Sequence, residues 1–268
     1  MVKMYLDVVA CSYKENIDFS QLLALPTYSS HKIGDIWHGK TTLDNSEWRY
    51  NSDTIETGNI DCILRGFMNC IKDKQDIFIK RLKETQSNLS IYVVVEKDKD
   101  DSINCAINKD LLPFYARLNA SISIDGLINE VFETNLTMED VQSDEDPHVN
   151  KTNMSLAFNI TSNKPIIYFN KKSCELKIQN GKEENKYVCK ILTPVIKCID
   201  TDEVVKYFYN QIKTNFIEKN VKSVTTTNNM IISIDNGKDT CYSICFEPST
   251  ISFLSKLNTA LFIDFKYI

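Results

Sequence analysis

Glycine is scarce in this chain, and the motifs that depend on it are missing. The 268 residues include seven glycines, and neither the GxGxxG pattern of dinucleotide-binding loops nor the GxxxxGKS/T pattern of phosphate-binding loops occurs. The GxSxG motif of serine hydrolases is also absent. With these common signatures missing, we expect a protein that is not an enzyme and that needs no cofactor.

Long apolar runs, closely paired cysteines and dense basic stretches are lacking as well. No stretch approaches the roughly 20 apolar residues of a membrane helix, and the N-terminus does not resemble a signal peptide. We therefore expect a cytoplasmic protein that binds no membrane, in which the nine cysteines are reduced thiols. Without a basic stripe, nucleic acid is a poor candidate for a partner.

Negative charge is concentrated in one segment of the chain. The net charge is −5, but residues 129–150 alone carry −7 and the remainder carries +2. The acidic residues of this segment are Glu130, Glu133, Glu139, Asp140, Asp144, Glu145 and Asp146. A solvated connector is the simplest interpretation, and a binding surface for a basic protein is the alternative.

An internal repeat is the main organising feature. Residues 91–126 align without a gap with residues 230–265, at an offset of 139. Apolar and polar positions match along the alignment, including Leu118 with Leu257, Asn119 with Asn258 and Asp125 with Asp264. We predict a duplicated chain with a first repeat at residues 1–128, an acidic connector at 129–151 and a diverged second repeat at 152–268.

Each repeat mixes strands with amphipathic helices. In the first repeat, Ile60, Ile63, Leu64, Phe67 and Ile71 follow the spacing of a helix with one apolar face. Residues 89–96 are rich in β-branched residues and predict a central strand. The resulting fold class is α+β, with two tandem related domains, each a mostly antiparallel mixed sheet with helices packed on one face.

One cluster of residues could support chemistry. His31, Asp35 and His38 lie close together in the first repeat, so a metal site or an acid/base pair could form there. The second repeat has no histidine, and the HExxH spacing is absent. The structural alternative is a turn at Gly34 and Asp35, with Trp37 and Trp48 packed across a hairpin.

The first repeat resembles the uncharacterised bacterial domain-of-unknown-function family 4279. The matching elements are FSQLLALPTY at residues 19–28, KIGD at 32–35, the tryptophan of SEWRYNSD at position 48 and LLPFYARLNASISID at 111–125. The resemblance covers about residues 3–127, and the second repeat keeps the closing LSKLNTALFID. It implies a small α+β domain without an established enzyme activity, of a kind that looks like immunity proteins in bacterial toxin loci.

These observations favour a non-enzymatic immunity protein that binds and neutralises a cognate toxin domain. An acidic surface would steer it towards a basic toxin such as a nuclease. We expect a monomer. The candidate contact residues are Asp35, Trp37, His38, Glu47, Arg49, Glu133, Glu139, Asp140, Asp144, Glu145 and Asp146. The alternatives are a metal-dependent or acid/base enzyme that uses His31, Asp35 and His38, and a structural dimerisation module.

Overall fold

Both halves of the chain combine strands with helices. The computed structural model describes residues 1–37, 39–97, 103–128, 152–163, 176–198, 200–213, 226–235 and 241–266. The elements of the first half are β1 (Lys3–Ser12), α1 (Ser20–Leu23), β2 (Ser29–His31), β3 (Ile36–Trp37), β4 (Thr41–Thr42), β5 (Ser46–Asn51), β6 (Ile55–Glu56), α2 (Ile60–Ile71), α3 (Gln75–Glu84), β7 (Asn88–Lys97), β8 (Ala106–Ile107), α4 (Leu112–Leu118) and β9 (Ala120–Ile128). Those of the second half are β10 (Thr152–Ser162), β11 (Lys177–Glu183), β12 (Lys186–Leu192), β13 (Ile196–Cys198), α5 (Thr201–Lys213), β14 (Thr226–Asp235), β15 (Cys241–Phe246), α6 (Pro248–Lys256) and β16 (Thr259–Lys266). The α+β class is confirmed.

The apolar stripe predicted in the first half forms the buried face of α2. Its five members, Ile60, Ile63, Leu64, Phe67 and Ile71, are all buried. The helix begins after Asn59, whose side chain accepts a hydrogen bond from the Asp61 N–H at 3.1 Å. A 3₁₀ turn at Lys72–Lys74 separates α2 from α3.

Strand β1 shows why one face of its sheet forms the core. Met4, Leu6, Val8 and Ala10 are buried, and the residues between them are half-buried on the other face. This alternation follows from the two-residue period of a strand. The neighbouring strand β7 has the same pattern, so the two strands add to a single apolar layer.

Among the described residues the strands form two seven-stranded sheets. Sheet 1 has the order β15-β9-β7-β1-β5-β2, with β6 also paired to β1. Sheet 2 has the order β8-β16-β14-β10-β12-β11, with β13 also paired to β10. The pairs β7–β9 and β14–β16 are parallel, and the other pairs in these sheets are antiparallel. Read in these directions, the two sheets share one strand order.

Each sheet contains one strand from the other half of the chain. Strand β15 pairs with β9, with Phe246 opposite Ile122, and strand β8 pairs with β16, with Ile107 opposite Leu261. Both residues of one pairing lie 139 positions from their counterparts in the other. The division into residues 1–128 and 152–268 did not anticipate this exchange of strands.

The last helix of each half lies where the halves meet. Helix α4 packs against α6, and each is followed by an asparagine with a positive φ, 53° at Asn119 and 48° at Asn258. Asparagine tolerates this left-handed conformation better than most residues, which explains its presence at both helix ends. No helix in the described part of the chain is long and apolar enough to cross a membrane.

Candidate protein-binding surface

A small hairpin projects from the first half as a separate two-stranded sheet. Strands β3 and β4 pair with Ile36 opposite Thr42 and Trp37 opposite Thr41. At its base, the Gly34 N–H donates to the Leu43 carbonyl and the Leu43 N–H donates to the Asp35 carbonyl, each at 2.8 Å. Gly34 has a φ of +93°, a conformation that favours glycine, so this turn depends on that residue.

Large apolar side chains are exposed on and beside this hairpin. Ile36 is 69% exposed and Trp37 is 55% exposed, while Ile33 is exposed to a smaller extent. We call Ile33, Ile36 and Trp37 the hairpin surface. Grouped exposed apolar residues are uncommon on soluble proteins, and tryptophan and tyrosine are enriched where proteins bind one another. The hairpin surface is therefore the described feature best suited to contact a partner.

The expected packing of Trp37 against Trp48 is wrong. Trp48 lies in β5 and is fully buried, and its cross-strand neighbours are Ala10 of β1 and Ser30 of β2. Trp37 instead pairs with Thr41 in the separate hairpin. The two tryptophans thus have opposite environments, because the chain leaves the main sheet after His31 and returns to it at Ser46.

The polar residues of the predicted cluster form hydrogen bonds with residues near them in the chain. The Asp35 carboxylate accepts a hydrogen bond from the Lys32 N–H at 2.7 Å, which fixes the predicted turn. His31 Nε2 lies 3.3 Å from Asn45 Oδ1. His38 lies outside the described residues. Within the residues that are described, no group of three or more potential metal ligands comes together.

Glu47 and Arg49 lie on the face of β5 opposite to Trp48. The Arg49 Nε atom lies 3.2 Å from Asp7 Oδ1 and 3.8 Å from Glu47 Oε1. Burial raises the pKa of Asp7, and the nearby Arg49 guanidinium opposes that rise. These residues form a small charged patch on the outer face of sheet 1. The acidic candidates Glu133, Glu139, Asp140, Asp144, Glu145 and Asp146 lie outside the described residues.

Sequence reasoning missed two charged clusters, each of which contains one buried aspartate. In the first, Asp61 Oδ1 accepts from the Asn108 N–H at 2.9 Å, and Arg65 joins Asp61 to Asp110 at 2.9 and 2.7 Å. Asp110 thus binds Arg65, and Leu111 is the N-cap of α4. The hydrogen bonds from Arg65 lower the pKa of Asp110.

The second cluster has the same design. Asp202 Oδ1 accepts from the Glu247 N–H at 3.0 Å, and Lys206 Nζ lies 2.7 Å from Asp202 and 2.8 Å from Glu247. Hydrogen bonds to these two carboxylates raise the pKa of Lys206. In both clusters an aspartate in the first turn of a helix accepts a hydrogen bond from the backbone N–H of a residue that follows an exchanged strand. The spacing of Asp61 to Arg65, repeated by Asp202 and Lys206, was the available signal in the sequence.

We expect the Asp202→Ala variant to lose about 1.5–3 kcal/mol in the free energy of unfolding, the range for a hydrogen bond to a charged group. The Asp202 side chain is only 3% exposed, so water can replace little of what is lost. Urea denaturation measures the change. Asp264→Ala, at an exposed position of β16, is the control and should change stability by less than about 0.5 kcal/mol. Equal losses in both variants would contradict a stabilising role for the cluster.

Comparisons with known proteins give no further identification. A scan against protein-family models, a search of curated proteins and a search of solved structures each found no match.

Proposed function

We propose that this chain is a non-enzymatic bacterial immunity protein that binds and neutralises a cognate toxin domain in the cytoplasm. The observation that carries the proposal is the exposure of Ile36 and Trp37 on a hairpin outside both seven-stranded sheets. An exposed tryptophan can supply a large contact area to a partner at low entropic cost.

The charges around the hairpin support the same proposal. Asp35 lies at the base of the hairpin, and Glu47 and Arg49 follow on β5. The segment 129–150 adds a charge of −7 to the chain. Such a distribution suits attraction of a basic toxin, with the apolar hairpin as the anchor of the contact and the acidic groups as the source of fast association.

The proposal includes an origin by tandem duplication. The shared strand order of the two sheets and the offset of 139 between the exchanged pairings support it. The described part of the second half has no counterpart of the β3–β4 hairpin, since β11 and β12 follow one another directly. We therefore assign toxin binding to the first half and a scaffold role to the second.

The Trp37→Ala variant tests the assignment. Loss of a central aromatic anchor costs 2 kcal/mol or more, so we expect binding of the toxin encoded by the adjacent gene to weaken about 30-fold or more. Co-expression of the two genes, followed by calorimetry on the purified proteins, measures growth rescue and affinity.

Val195→Ala provides the matched control, because Val195 is an exposed apolar residue of the second half. It should retain full affinity and full rescue. If the wild-type protein forms no complex with the toxin, the immunity proposal is wrong. If a complex forms but Trp37→Ala binds as tightly as wild type, the hairpin is not the contact site.

A further inference from the structure

The β3–β4 hairpin has two faces, and both are exposed. Because side chains alternate along a strand, Ile36 and Trp37 lie on opposite faces. Their cross-strand neighbours, Thr42 and Thr41, share these faces with them. Ile36 is 69% exposed and Trp37 is 55% exposed, and both threonines are exposed as well. Each face therefore presents one large apolar side chain beside a threonine.

Hydrogen bonds to a preceding segment fix the base of this hairpin. The Ile33 N–H donates to Asn16 Oδ1 at 2.9 Å. The Ser46 hydroxyl donates to the His31 carbonyl at 3.0 Å and accepts from the Ile17 N–H at 3.1 Å. A hairpin with such short strands is at best marginally stable alone, so the rest of the first half holds it in shape. Such pre-organisation lowers the entropic cost of binding.

The two exposed faces restrict the shape of a partner. A flat surface can cover only one face, and it would leave either Ile36 or Trp37 in water. A cleft that admits a two-stranded ribbon covers both faces at once. Clefts lined by apolar side chains are also the usual sites at which proteins bind their ligands. The arrangement of Ile36 and Trp37 therefore favours a partner with a cleft.

A cation lies at the end of the hairpin. The Lys40 N–H donates to the Trp37 carbonyl at 3.1 Å and closes the turn, in which Gly39 has a φ of +70°. Lys40 is exposed, and none of the described residues forms an ion pair with it. An ammonium group that leaves water must be paired with an opposite charge, because its desolvation is otherwise costly. A cleft that receives this turn must therefore offer a carboxylate to Lys40.

We propose that the hairpin inserts into a cleft of the toxin that has two apolar walls and an acidic group. Ile36 packs on one wall, Trp37 packs on the other, and Lys40 pairs with the acidic group. This inference rests on the proposed function and deepens it, because it specifies the shape and chemistry of the site on the partner. It also gives a means of neutralisation that requires no enzyme activity, since an occupied cleft cannot accept another molecule.

Arginine substitutions on the two faces test the insertion. Thr42→Arg adds bulk and charge beside Ile36, and Thr41→Arg does the same beside Trp37. In a cleft each arginine collides with a wall, so we expect each variant to bind the toxin encoded by the adjacent gene about tenfold more weakly or worse. Lys40→Glu should also weaken binding about tenfold, because it brings two carboxylates together. Calorimetry on the purified full-length proteins measures the affinities.

Thr54→Arg is the matched control, since Thr54 is exposed beyond the far end of β5; it should bind as tightly as wild type. Thermal denaturation shows whether each variant is folded. Ile36→Ala and Trp37→Ala repeat the comparison of the two faces without added bulk, and both should weaken binding.

The outcomes separate this inference from the proposed function. If the wild-type chain binds the toxin but substitutions on only one face weaken the complex, the contact is flat and insertion is wrong, while the immunity proposal stands. Unchanged affinity after substitution of either face would also overturn insertion. If the wild-type chain forms no complex with the toxin, the proposed function itself is wrong.

Discussion

Replacing Trp48 with alanine should lower the free energy of unfolding by about 3–5 kcal/mol, the range for truncating a large buried aromatic residue. Trp48 is fully buried in β5. It meets Phe19 edge-to-face at 5.7 Å, and its Nε1–H donates to Thr27 Oγ1 at 3.2 Å. Alanine would leave a cavity against α1 and would remove the hydrogen bond that the Thr27 hydroxyl accepts. Because domains are stable by only about 5–15 kcal/mol, we expect a measurable unfolded fraction of the variant on mild heating.

Trp37→Ala is the natural control for that prediction. The residue lies only 11 positions earlier and is the other tryptophan of the chain, but it is exposed on the hairpin. We expect its effect on stability to stay within about 0.5 kcal/mol. Thermal and urea denaturation of the two variants measure the contrast. Similar losses in both variants would contradict a stabilising role for Trp48 in the core.

The helices and central strands could be predicted because their signals are local. The stripe of α2 repeats within the helix itself, and the β-branched run of β7 marks a buried strand without any knowledge of its neighbours. Each of these elements buries one face against the core, so the spacing of apolar residues within the element is enough to predict which residues are buried. That is why the α+β class followed from the sequence.

Partner choice between strands could not be predicted in the same way. Strand β8 consists of Ala106 and Ile107 alone, and two residues carry too little pattern to select one sheet edge over another. Its place beside β16 depends on contacts more than 150 residues away in sequence. The buried role of Asp61 depends on the same exchange, since its partner Asn108 follows β8.

The turn beside the hairpin could be predicted from the sequence, but the exposure of the hairpin could not. The sequence indicates the turn at Gly34 and Asp35, whereas the alternative in which Trp37 packs against Trp48 is wrong. Alternation of apolar residues cannot distinguish a strand that faces the core from one that leaves the sheet. The exposure of the hairpin is a tertiary property. It depends on where β5 returns to the sheet, which the local sequence does not show.

The exchanged strands lead to a prediction about the integrity of the whole protein. We expect the full-length chain, given a protease recognition sequence within residues 129–150 and then cut there, to remain a single particle of unchanged mass. Each sheet would still contain a strand from the other fragment, β15 in sheet 1 and β8 in sheet 2. The helices α4 and α6 also pack against one another across the cut halves. Size-exclusion chromatography with light scattering measures the mass.

Phe246→Ala should change that outcome. Phe246 is fully buried in β15 opposite Ile122, and its truncation removes about 3–5 kcal/mol from the strand that joins the second fragment to sheet 1. In the uncut chain the halves stay linked and the variant should be folded but less stable. After cleavage the fragments become separate molecules, so association also requires the loss of their translational freedom. We therefore expect the cut variant to dissociate at micromolar concentration, where the cut wild type does not. Dissociation of the cut wild type under the same conditions would show that the exchanged strands do not hold the halves together.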